Sequence, residues 1–181
     1  PTRRSSDLLV VMASVSRWLE SKLRLKVSAS KTKVVRPTKS SFLGFTFWKG
    51  SNGWQCKPTD KAKKKLESKV KQLLLRKRAS AQPLSFVFTR LNQIIRGWVY
   101  YYHIGSMTKY LRDKFSPWMR HKVRVVIVKQ WKKRRTIYKN LLRLKRIINS
   151  NIDDTSIYQA AMTSLGWYRQ CGQSVFNYLL N

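Results

Sequence analysis

The sequence predicts an α+β fold in two unequal parts, a small α/β unit over residues 9–57 followed by a mainly α-helical domain over residues 58–181. Three observations carry that prediction. Helical spacing gives way to strand-like alternation in the first part, strand character fades after Cys56, and beyond Pro58 apolar residues recur at the three- and four-residue intervals of amphipathic helices.

Taken in order, Pro1 to Leu8 resemble the translation of a sequencing adaptor, so they are set aside from fold reasoning and the chain is expected to be the tail of a longer gene. Val11, Val15, Trp18, Leu19 and Leu23 predict a helix, and Leu25 to Ser28 alternate like a strand. A second β-prone piece, Lys33 to Arg36, is interrupted by Pro37. Phe42 to Trp48 reads as a strand that turns through Gly50 and Gly53 into a partner carrying Trp54, which completes an α-β-β-β unit. Pro58-Thr59-Asp60 is a helix-start signal, and Ala62, Leu66, Val70, Leu73 and Leu74 form one stripe among Lys61, Lys63, Lys64, Lys65, Lys69 and Lys71. After a linker with Ser80 and Pro83, a helix carries Leu91, Ile94, Ile95, Trp98 and Tyr102, and Gly105-Ser106 resets the chain. Pro117 starts a further element. Met119, Val123, Val126 and Ile127 make it a helix, although Val125 to Val128 alone also suit a strand. Two short helices follow, around Tyr138 to Ile148 and after Asp153-Asp154-Thr155.

Lys and Arg number 39 against seven Asp and Glu, a formal net charge of +32 that calls for a polyanionic partner. A hydrophobic content of 43%, with seven Trp, eight Tyr and seven Phe, excludes a disordered basic tail. No apolar run approaches the roughly 20 residues that span a bilayer. The chain is therefore expected to be soluble and intracellular, in a bacterial cytoplasm or an organelle, with no membrane partner. Cys56 and Cys171 lie far apart and outside any metal-ligand spacing, which makes both ordinary thiols.

The stretch Leu91 to Arg135 combines cations that neutralise phosphates with aromatic planes that stack on unpaired bases. Arg96, Tyr101, Arg120, Arg124, Lys129, Lys132, Lys133, Arg134 and Arg135 are the expected RNA contacts. Gly97, letting another helix approach, and Trp98, filling core, are expected to be structural. Adjacent carboxylates can hold catalytic magnesium. Asp153-Asp154 has no third acid nearby and sits where a helix cap belongs, so no catalytic residue is expected. His103 and His121 have basic or aromatic neighbours and are read as helix-face residues.

Ser30-Lys31-Thr32-Lys33, Phe42-Leu43-Gly44-Phe45, Leu91 to Tyr102 and Trp131-Lys132-Lys133 resemble, in that order, the back half of a group II intron-encoded reverse transcriptase/maturase. The resemblance covers nearly all of residues 9–181, and its most specific block runs from Arg96-Gly97-Trp98 to Gly105-Ser106-Met107. It implies that residues 9–57 are the end of the polymerase palm and residues 58–181 the thumb and maturase-specific region. Lys31 would lie near the incoming nucleotide's phosphates, with Phe42, Leu43, Gly44 and Phe45 near the primer grip. It implies structured intron RNA and template-primer as partners, and it allows a homodimer of the parent. The family's Tyr-x-Asp-Asp turn is expected before Leu9 and is absent, so magnesium is implied for an intact parent only, with no cofactor for this chain, and no polymerisation by the chain alone is expected. The alternative is a generic basic RNA-binding module without intron specificity.

Overall fold

The computed structural model describes residues 3–181, with side chains from residue 7; Pro1, Thr2 and the side chains of the next four adaptor-like residues lie outside the described residues. The chain divides into two compact units, Pro1–Gln55 and Cys56–Asn181. It is α+β, with a small antiparallel sheet and a predominantly helical remainder.

The first unit opens with helix α1, Arg3–Leu23, which begins earlier than the apolar pattern predicts. Its stripe of Leu8, Val11, Val15 and Trp18 is exposed throughout. Two predicted strands are absent. Leu25–Ser28 and Lys33–Arg36 have no ladder partner. Local hydrogen bonding takes the intervening backbone: Ser28 O accepts from Lys31 N (3.1 Å) and Thr32 N (3.0 Å), and Thr32 Oγ1 donates to the same carbonyl at 2.8 Å. Pro37 then opens a single 3₁₀ turn, Pro37–Lys39.

The expected strand from Phe42 to Trp48 is broken by a turn. Leu43 (φ 48°) and Gly44 (φ 82°) are both left-handed, which is the two-residue hairpin loop whose twist matches its strands. It joins β1, Ser41–Phe42, to β2, Phe45–Gly50, with Phe42 opposite Phe45 and Ser41 opposite Thr46. The strand β3, Gly53–Pro58, completes a sheet of order β1-β2-β3. The sequence pattern missed the hairpin because Leu is an unusual residue at positive φ.

The second unit is helical: α2 (Asp60–Leu73), α3 (Arg76–Ala79), α4 (Leu84–Tyr102), α5 (Thr108–Tyr110), α6 (Ser116–Trp131), α7 (Arg134–Ile147), α8 (Asp154–Met162), α9 (Trp167–Gln170) and α10 (Ser174–Leu179). Thr59 caps α2, its Oγ1 accepting from Ala62 N at 3.2 Å. Asp153 caps α8, accepting from Thr155 N (3.1 Å) and Ser156 N (3.3 Å). Pro117 stands in the first turn of α6, as expected of a helix start. Helical backbone also leads into α6 through a π-helical stretch, Leu111–Phe115.

Two hydrophobic cores flank α6. One gathers Leu66, Val70 and Leu74 with Val87, Leu91, Phe115 and Val126. The other gathers Val125, Val128, Ile137, Leu141, Ile157 and Phe176. A helix buried on two sides shows apolar residues at adjacent positions, and that is why Val125 to Val128 looks like a strand in sequence. Gln170, 3% exposed, donates from Nε2 to Ala160 O (3.0 Å) and Ala161 O (3.2 Å), tying α9 to the open carbonyls at the end of α8.

Candidate nucleic-acid interface

Three helices of the second unit, α2, α4 and α7, repeat one design: a narrow apolar stripe enters a core and the other faces carry cations. On α2, Ala62, Leu66 and Val70 are buried, while Lys61, Lys64, Lys65, Lys69 and Lys71 are exposed. On α7, Ile137 and Leu141 are buried, while Arg134, Arg135, Lys139, Arg143 and Arg146 face water. On α4, Val87 and Leu91 are buried, and Arg90, Arg96, Tyr100 and Tyr101 are exposed.

Few acids answer these charges. Ion pairs join Lys63 to Asp60 (3.0 Å), Arg112 to Asp113 (2.7 Å) and Lys145 to Asp154 (2.6 Å), and Glu67 accepts from Tyr110 Oη at 2.9 Å. With seven acids against 39 cations, the surface field is strongly positive whatever the local pairing.

Among the predicted contacts, Arg96, Tyr101, Lys132, Lys133, Arg134 and Arg135 are exposed. The last four form the corner between α6 and α7, where Lys132 at φ 59° ends α6 and Lys133 precedes the first residue of α7. Lys129 is half-buried. Arg120 is exposed and donates from Nη1 to Asn181 Oδ1 at 2.7 Å.

Arg124 is not an RNA contact. It is 6% exposed, donating from Nε to Leu180 O at 3.2 Å and from Nη1 to Asn177 Oδ1. Burial, and then the charge of nearby Arg120, press its guanidinium below its ordinary pKa. It therefore anchors α10 as a buried cation held by neutral oxygens.

Gly97 also departs from expectation. No helix approaches it: a Cβ built at this position meets nothing within 4 Å. Trp98 is half-buried against the α2–α4 core, its ring centroid 4.7 Å from Tyr102 and 6.1 Å from Tyr110. Its Nε1–H is out of water and without an acceptor, a deficit that generally costs about 1–3 kcal/mol.

Gly97 and Trp98 line a cleft of about 330 Å³ between α2 and α4, with Lys65, Lys69, Gln93, Ile94 and Tyr101 along its sides. The lysine stripe of α2 was visible in sequence. Its position facing Gly97 was not, because pairing of α2 with α4 is a tertiary fact. Nor did spacing reveal that Lys122 Nζ stands 5.1 Å over the ring of Tyr168, an exposed aromatic beyond the predicted surface.

In the first unit, Lys31 is exposed, Phe42 and Leu43 project from the hairpin at 66% and 65% exposure, Gly44 completes its turn, and Phe45 is buried. Among the described residues no three His, Cys, Asp or Glu side chains come together to hold a metal. Among the described residues, too, no helix is long and apolar enough to cross a membrane.

Residues 63–144, from α2 into α7, match the family model of the group II intron maturase-specific domain. No curated protein matches the chain. The matched span holds the lysine face of α2, the Arg96-Gly97-Trp98 segment of α4 and the cationic corner at residues 132–135. Residues 63–144 thus form a group II intron maturase-specific domain, which supports a maturase function in splicing.

Proposed function

We propose that the second unit binds structured group II intron RNA directly, through phosphate contacts from the exposed cations of α2, α4, α7 and the α6–α7 corner, and thereby holds the RNA in its splicing-active fold. The observation that carries this reading is the repetition of one buried stripe and exposed cationic faces on α2, α4 and α7 of a maturase-specific domain. Phosphate contacts supply affinity and orientation without sequence information. Discrimination then comes from RNA shape and from unpaired bases that reach exposed rings such as Tyr101.

Reverse transcription belongs to the same proposal at one remove. In a parent that carries the polymerase carboxylates, these basic helices would hold template and primer, and the tip of the Phe42–Phe45 hairpin would meet the primer end. The exposure of Phe42 and Leu43 supports that role.

The test is splicing of a folded group II intron transcript at magnesium concentrations that leave it slow unaided. Added chain should raise the rate, and removal of the charges at residues 132–135 should reduce that gain. Equal stimulation by an unrelated protein of similar charge would favour the generic basic module instead.

A further inference from the structure

Glycine inside a helix lowers its stability relative to alanine, and the usual compensation is a neighbouring segment packed against the bare backbone. Gly97, well inside α4, has no such neighbour. The bare surface instead forms part of the cleft between α2 and α4. One wall supplies Lys65 and Lys69, four residues apart on α2, both exposed; the other supplies Gln93, Trp98 and Tyr101. No acidic residue lines it. At about 330 Å³ it is at the small end of ligand clefts, which run to roughly 300–1,000 Å³.

We propose that this cleft is a binding site for one unpaired RNA nucleotide, with the nucleotide lying over the bare Cα of Gly97, its base against the aromatic wall and its phosphate between Lys65 and Lys69. This rests on the RNA-binding reading above and adds a specific seat to it. Cations and aromatic planes together select a nucleotide over an apolar peptide. A paired base cannot enter, because its faces are already stacked in the duplex.

The position makes an unusually clean test, because alanine at residue 97 has opposite effects on folding and on binding. Gly97→Ala removes a helix-interior glycine, and its Cβ enters space that is open in the free protein. The melting temperature should rise by about 2–5 °C. Affinity for a mixed-sequence single-stranded RNA 12-mer should fall at least about tenfold, while affinity for a 12-base-pair RNA duplex stays unchanged. Tyr101→Ala removes an exposed ring from the aromatic wall, and it should weaken the single strand alone. Single-strand affinity of Gly97→Ala equal to the unsubstituted chain would overturn the site and leave general RNA binding intact. Failure of the unsubstituted chain to bind either RNA would overturn both. Equal losses for strand and duplex would show that residue 97 faces backbone in any RNA, and would overturn the unpaired-nucleotide seat.

Discussion

Arg124→Ala separates a buried anchor from a surface contact at a position where sequence and structure disagree. The substitution removes a guanidinium that is 6% exposed and that donates to Leu180 O and Asn177 Oδ1. Two hydrogen bonds from a charged donor are each worth about 1.5–3 kcal/mol, and their loss strands a carbonyl and an amide at the end of α10. Relief from burying an unpaired cation offsets part of that loss, since burial already disfavours the charged form. A net destabilisation of about 2–3 kcal/mol follows, which for a domain of this size lowers the melting temperature by roughly 6–15 °C. Thermal unfolding followed by circular dichroism reads it directly. Arg134→Ala is the control: the residue is exposed at the α6–α7 corner, so stability should change by less than about 0.5 kcal/mol while RNA affinity and its salt slope fall. An Arg124→Ala chain that melts like the unsubstituted protein but binds RNA as weakly as Arg134→Ala would refute the reasoning.

Other expectations follow from the same geometry. Leu141→Ala opens a void at a fully buried position of the second core and should cost about 2–5 kcal/mol in denaturant unfolding, with Lys139→Ala on the exposed face close to neutral. Cys171 is fully buried and its thiol is pushed up to about 12, whereas Cys56 is only half-buried, so a thiol reagent at neutral pH should titrate one cysteine rapidly in the native protein and both in denaturant. The carboxyl of Asp153 is held below its usual value near 3.8 by hydrogen bonds from Thr155 and Ser156. A depressed folded-state pKa means that its contribution is complete above the unfolded value and is lost as pH falls through the folded one. Asp153→Asn keeps a capping oxygen and should flatten that acid limb of the stability curve below about pH 4.

What the sequence made legible divides along physical lines. The helices α2 and α4 each bury a single stripe, so periodicity located both, and the Thr59 and Asp153 caps were readable because short polar side chains at a helix start have one common use. The helix α6 was harder, since Val126 enters one core and Val125 and Val128 the other. Arg124 sits on that second stripe, directly before Val125, and it reads as an RNA contact in sequence because a cation beside an apolar row looks exposed until the helix that covers it is known. Strand-like alternation at 25–28 and 33–36 misled because a strand exists only with an edge to pair against, and the intervening Ser28 and Thr32 form a turn of their own. Gly97 was expected to admit a helix; whether a bare backbone meets a neighbour or open space depends on which helix packs alongside, and spacing within α4 carries no information about that.

Direct binding of intron RNA by the cationic helices is the central claim, and competition binding tests it most directly. The purified chain is titrated with a labelled, folded group II intron transcript against unlabelled bulk transfer RNA over a series of salt concentrations. Affinity should fall steeply with salt, as phosphate contacts release counterions, yet preference for the intron should persist at high salt because shape and unpaired bases are read independently of charge. Equal competition by transfer RNA at every salt concentration would contradict intron recognition and leave a basic surface indifferent to what it binds.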